Sequence, residues 1–98
     1  MPFVWIFYDI SKDAARTRTA KMCKKAGLRR IQKSIFLGNI TDRNIALLTQ
    51  AIQQKINPIS DRLLVLPDDK TALKRIKAYG QLTTKSIAEF WTRRVSFV

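Results

Sequence analysis

No histidine occurs among the 98 residues, and Cys23 is the only cysteine. A Ser/His/Asp triad, a histidine general base, an intrachain disulfide and a zinc finger are therefore all excluded. Acids are scarce as well, with 7 Asp plus Glu against 19 Lys plus Arg. They form no Asp-x-Asp motif and no carboxylate pair on one helix face, so a metal site would need two subunits or the phosphates of a substrate. Apolar runs are short. Nothing approaches the roughly 18 consecutive apolar residues of a membrane span, and there is no signal-peptide pattern and no basic amphipathic helix with an aromatic face. A cytoplasmic protein without membrane association is expected. Repeats, linkers and low-complexity tracts are also missing, so residues 1–98 read as a single domain, with a core over about 1–66 and a C-terminal extension over 67–98.

Against these absences stand a hydrophobic content of 46% and a formal charge of +12. The first predicts a folded body and the second a polyanionic partner, with RNA or DNA the leading candidate. At this length the core is small, and dimerisation adds burial.

The run Phe3-Val-Trp-Ile-Phe-Tyr8 ends in Asp9. A strand period of two puts Phe3, Trp5, Phe7 and Asp9 on one face and Val4, Ile6, Tyr8 and Ile10 on the other. Both faces are apolar, yet a chain this short supplies one layer of helices and hardly two. A second copy is the expected cover for the other face. An isologous contact would then bring each Asp9 toward its symmetry mate, making one site from two carboxylates. A lone acid in so basic a protein asks for a cation.

Beyond the strand, Ser11 is a candidate N-cap and Asp13 a first-turn acid for a helix over about 12–26 that stops at Gly27. Its buried stripe is Ala15, Thr19, Met22, Cys23 and Ala26, with Cys23 a packed thiol. Residues 28–32 and 34–38 read as two short strands lacking an Asn-Gly or Asp-Gly turn. Thr41 caps a helix to about Lys55, with Ile45, Leu48, Ile52 and Ile56 inward, ended by Asn57-Pro58. The run Leu63-Leu64-Val65-Leu66, closed by Pro67, reads as a buried strand. This order predicts an α+β, ferredoxin-like βαββαβ sandwich. The tail is expected to add a helix from Asp68 or Asp69 to Tyr79, a further turn or two over 84–91, and an extended segment over 93–98 that pairs with a sheet edge.

The strand Val4-Trp-Ile-Phe-Tyr-Asp-Ile10 followed by Ser11, the pair Arg16 and Arg18, and the segment Gly27-Leu-Arg-Arg-Ile-Gln-Lys-Ser-Ile-Phe36 resemble the CRISPR-associated protein 2 family over roughly residues 3–66. The resemblance implies a homodimeric ferredoxin-like protein of spacer acquisition and antiviral defence, with Mg²⁺, or Mn²⁺ in its place, at the dimer interface. It implies either a metal-dependent endonuclease on RNA or DNA or a DNA-binding scaffold beside the CRISPR integrase, CRISPR-associated protein 1. By position, Asp9 is the metal ligand and a catalytic residue. Ser11 is a second catalytic residue, Arg16, Arg18 and Arg30 bind nucleic acid, and Phe36 lines the site. Leu37 stands where many members carry a polar or acidic residue.

The same chemistry follows from the residue types. Phosphodiester cleavage needs an activated water and a counter to charge growing on the phosphate, which a divalent cation on oxygen ligands supplies. Arg16, Arg18 and Arg30 suit bidentate contact with phosphate oxygens, and Ser11 suits ordering a water. Plainer readings stand beside these: Asp9 as a turn residue, Ser11 as a cap, Phe36 as core, and the row Arg18, Lys21 and Lys25 as a solvated helix face. Another alternative is a monomeric single-strand binder stacking bases on Trp5, Phe7 and Phe36. A toxin-type RNase of the same fold is a further one.

Overall fold

Alternating apolar and mixed residues make four strands, and two amphipathic segments make the helices that cover one side of them. The computed structural model describes residues 3–69 together with Arg75, Lys77 and Tyr79. In chain order the elements are β1 (Phe3–Asp9), α1 (Asp13–Lys25), β2 (Arg29–Gln32), β3 (Ile35–Asn39), α2 (Asp42–Gln53) and β4 (Arg62–Asp68). The sheet order is β2-β3-β1-β4 with every neighbouring pair antiparallel, the ferredoxin-like arrangement expected from the sequence. Asp68 closes β4 rather than opening a helix. The described tail residues Asp69, Arg75, Lys77 and Tyr79 are not helical, which corrects the expected helix to Tyr79 at those positions; the expected segments 84–91 and 93–98 lie outside the described residues.

β1 is central because both its faces are apolar. Val4, Ile6, Tyr8 and Ile10 meet Ala20 and Cys23 of α1 and Ile45, Leu48 and Ile52 of α2 in one buried cluster. Ala15, Met22 and Ala26 of the expected α1 stripe are partly buried against it, as is Ile56 beyond α2. Cys23 is fully buried, and burial pushes its thiol up to about 12, slightly offset by the nearby Arg30 charge. It is a packing residue. Thr19 is also fully buried and satisfies its hydroxyl by donating to the Ala15 carbonyl at 2.8 Å.

Helix ends follow local chemistry with one exception. Thr41 caps α2 as expected, accepting from the Asn44 N–H at 3.2 Å. α1 ends in a Schellman arrangement, in which Gly27 N–H bonds to Lys24 O and Leu28 N–H to Cys23 O; Gly27 takes the positive φ of 100° that this turn needs. The exception is Ser11. The N-cap of α1 is Lys12, without a side-chain cap bond, because the Ser11 backbone N–H is drawn instead to the Asp61 carboxylate at 3.0 Å.

Register decides which aromatics share a face. Ile6 lies opposite Phe36 and Trp5 opposite Leu37. Phe36 therefore points to the helices, fully buried, stacked on Tyr8 with centroids 6.2 Å apart. This corrects the expectation of a common stacking platform: Trp5 and Phe7 stack on the far face at 5.9 Å, and Phe36 is on the other. Phe36→Ala is expected to cost about 3–5 kcal/mol, readable as a lowered midpoint in urea unfolding.

The β4 expectation also changes. It is an edge strand, which tolerates Pro67, and its residues alternate. Leu63 and Val65 pack on the core, whereas Leu64 and Leu66 lie opposite Phe7 and Trp5 on the far face and are 60% and 46% exposed. That face is closed toward β3, where Leu37 is fully buried, and open toward β4.

Candidate active site

Where β1 runs out, Asp9 is the last residue paired with β4, opposite Arg62. It is exposed, on the face that carries Trp5, Phe7, Leu64 and Leu66. Among the described residues no hydrogen bond or ion pair engages its carboxylate. Beside it opens a recess of about 570 Å³ walled by Tyr8, Asp9 and Ile10 of the β1 end, Arg16 and Thr17 of α1, Arg30 of β2, and Lys33 and Ser34 of the β2–β3 turn. Three cations thus surround one free acid.

Each cation is set by a different local device. Arg16 is in the first turn of α1, ion-paired to Asp13 one turn earlier. The Arg30 guanidinium sits over the Phe36 ring, 5.2 Å from its centroid, a cation–π contact that orients it without consuming its hydrogen-bond donors. Lys33 is carried by a two-residue turn, and the register shift between Arg30 and Gln32 adapts the hairpin to it. No described residue other than glycine has positive φ, so the mirror-image turns typical of two-residue hairpins are not used here. Tyr8 holds that turn against β1 twice, its N–H donating to Ser34 O at 3.1 Å and its hydroxyl to Lys33 O at 3.2 Å.

Of the residues singled out in the sequence, the fold gathers Asp9, Arg16 and Arg30 around the recess. Phe36 lies beneath Arg30 and does not line it. Ser11 and Arg18 are exposed and outside it, Arg18 lying with Lys21 and Lys25 on the exposed side of α1. Lys33, Ser34, Thr17 and Tyr8 were missed. The signal for Lys33 and Ser34 was their place between two strands, where a turn projects side chains from the sheet end.

The loop opposite Asp9 carries a second carboxylate. Asp61 accepts from the Asn57 N–H at 2.8 Å, the Ser11 N–H at 3.0 Å and the Ser60 hydroxyl at 3.2 Å. These bonds hold its carboxyl below the usual range, the Asn57 amide contributing most and the Ser11 amide next. Since the folded pKa is depressed, Asp61 adds stability above its unfolded pKa near 3.8, and that contribution is lost as pH falls through the lower folded value. The melting-temperature gap between wild type and Asp61→Asn should be full at neutral pH and shrink below pH 3.8.

Among the described residues no group of three or more His, Cys, Asp or Glu side chains is placed to hold a metal. The free Asp9 carboxylate is a hard oxygen donor suited to Mg²⁺ or Mn²⁺, which accept one or two carboxylates and complete their shell with water and phosphate. No described helix is long and apolar enough to cross a membrane.

The family model described as "CRISPR associated protein Cas2" matches residues 1–76. A Korarchaeum cryptofilum protein named CRISPR-associated endoribonuclease Cas2 is 36% identical over 78 residues, covering 80% of this chain and 84% of that protein. An Archaeoglobus fulgidus protein named CRISPR-associated endoribonuclease Cas2 1 is 32% identical over 62 residues, 63% of this chain and 66% of that protein. Among solved structures, Streptococcus pyogenes Cas2 at pH 6.5 superimposes with a TM-score of 0.71 at 22% identity, covering 80% of this chain and 99% of that one; this likeness is one of fold.

Proposed function

This chain belongs to the CRISPR-associated protein Cas2 family, and from that premise we propose that it is a homodimeric, metal-dependent endonuclease acting on RNA or DNA in spacer acquisition and antiviral defence. The observation that carries the reading is the unpaired Asp9 carboxylate at the end of a partly open apolar sheet face, bordered by three cations. Two copies joined through Trp5, Phe7, Leu64 and Leu66 place a pair of Asp9 residues at one junction, since a twofold contact repeats the same patch. Relatives named endoribonucleases support cleavage as the chemistry.

In this reading the two Asp9 carboxylates hold Mg²⁺ or Mn²⁺. When bound, the cation supplies an acidified water and counters charge on the phosphate. The chain itself does the rest. Arg30, fixed over Phe36, and Arg16, held by Asp13, grip phosphate oxygens through forked N–H donors. Lys33 adds a point charge, Thr17 and Ser34 offer hydroxyls, and Arg18 extends the basic track along α1. Ser11 acts beside Asp9, its backbone held by Asp61. The test is a metal titration of cleavage on RNA, single-stranded DNA and duplex DNA with wild type and Asp9→Asn in parallel. Cleavage that needs no divalent ion, or an unchanged mutant, rejects it.

The exposed row Arg18, Lys21 and Lys25 favours a second reading, a non-catalytic DNA scaffold that docks the CRISPR integrase, CRISPR-associated protein 1. Phosphate contacts are salt-dependent, so Arg30→Ala and Lys33→Ala should each reduce the slope of log K against log salt by about 1 in either reading. Spacer acquisition that persists at full level in Asp9→Asn selects the scaffold.

A further inference from the structure

Asp9 ends the β1–β4 ladder, and the chain then turns into α1 through Ile10, Ser11 and Lys12. Past the Asp9–Arg62 pair backbone pairing stops, and one side chain continues it: the Asp61 Oδ1 atom receives the Ser11 N–H at 3.0 Å. Asp61 is itself braced. Its N–H donates to Asn57 O at 2.8 Å, its Oδ2 accepts from the Asn57 N–H at 2.8 Å, and Asn57 Oδ1 accepts from the Ile59 N–H at 2.9 Å. The segment 57–61 is thus a hydrogen-bonded loop whose carboxylate reaches across to the backbone two residues beyond Asp9.

We infer that Asp61 is the positioning residue of the Asp9 site, a carboxylate clamp on Ser11 that sets where the β1 end places the Asp9 side chain. This rests on the nuclease reading above. A strand end is the part of a sheet most prone to open, because its last pair has a neighbour on one side only. Among the described residues the Asp9 carboxylate has no hydrogen-bond partner to hold it, so its direction comes from the backbone on either side. On the N-terminal side that is the ladder; on the C-terminal side it is Asp61. Supporting groups of this kind commonly govern metal affinity or activity by 10–100-fold, since a shift of about 1 Å at the reacting centre is costly. Ile10, beside Ser11, belongs to the buried cluster, so the integrity of the core is read separately, at the Ile6 and Ile52 amides.

The test compares wild type with Asp61→Ala and with Asp61→Asn, whose single amide oxygen can serve one of the two N–H donors and so preserves folding. Three quantities are read: hydrogen exchange at the Ser11 amide, Mn²⁺ affinity from paramagnetic broadening at Asp9, and kcat separately from KM. For Asp61→Ala, Ser11 exchange should rise at least about tenfold while Ile6 and Ile52 amides stay protected. Mn²⁺ affinity and kcat should fall about 10–100-fold, with KM within about threefold because the phosphate-gripping cations are untouched. Asp61→Asn should fall between. Unchanged Ser11 exchange overturns the inference, as does faster exchange with Mn²⁺ affinity and kcat at the wild-type level. Wild-type protein that neither binds Mn²⁺ nor cleaves rejects the nuclease reading alone; the clamp is then upheld if backbone order at Asp9 drops with Ser11 protection in Asp61→Ala, and overturned if Asp9 stays ordered.

Discussion

Asp9→Asn is expected to lower metal-dependent cleavage by about 10³-fold or more. In the proposed dimer one substitution removes both carboxylates of the shared site at once, and the loss of a single preorganised electrostatic group already costs about 10²–10³-fold. Stability should move by no more than about 0.5 kcal/mol, because Asp9 is exposed and, among the described residues, holds no partner. Nucleic-acid binding without metal should be as tight as wild type or tighter, since the change deletes the only negative charge among the described residues lining a recess that also carries Arg16, Arg30 and Lys33. Cleavage by gel and affinity by fluorescence anisotropy check the two halves. A mutant that cuts normally, or one that loses binding together with cutting, contradicts the assigned role.

Replacing Leu64 and Leu66 together by Glu should turn the proposed dimer into a monomer, with a dissociation constant raised at least about 10²-fold. Each leucine is large and exposed in the isolated subunit, and burying such a side chain is worth about 1.5–3 kcal/mol. Placing unpaired carboxylates in the contact adds a desolvation penalty. Both residues point away from the helix-side core, so the subunit should keep its fold, which circular dichroism can check. Sedimentation velocity reads the oligomeric state. If the site is shared, cleavage falls in step with the dimer fraction. A wild-type protein that sediments as a monomer removes the basis for pairing Asp9 with its mate.

The element boundaries were legible because each depends on residues within a turn or two of one another. The spacing of Ile45, Leu48 and Ile52 fixes the inner face of α2, Thr41 starts it, and Gly27 stops α1. The hairpin was harder to read because its turn lacks the usual Asn-Gly chemistry, and a register irregularity near Ile31 takes its place. Phe36 was grouped with Trp5 and Phe7 because a period of two gives the parity of faces within a strand; only pairing gives it between strands. Ile6 opposite Phe36 decides the matter. β4 read as buried because Leu63-Leu64-Val65-Leu66 is uniformly apolar, and its edge position leaves Leu64 and Leu66 uncovered.

Order along the chain was enough to establish the βαββαβ succession, the absence of histidine and disulfide chemistry, the basic character, and an isolated acid at the end of the first strand, since all of these are properties of composition and short-range period. Folding alone brought Arg16, Arg30 and Lys33 from a helix, a strand and a turn to the same recess, and drew Asp61 across 50 positions to Ser11. Such meetings depend on strand register and on where loops close, and no local pattern encodes the distance between residues that far apart.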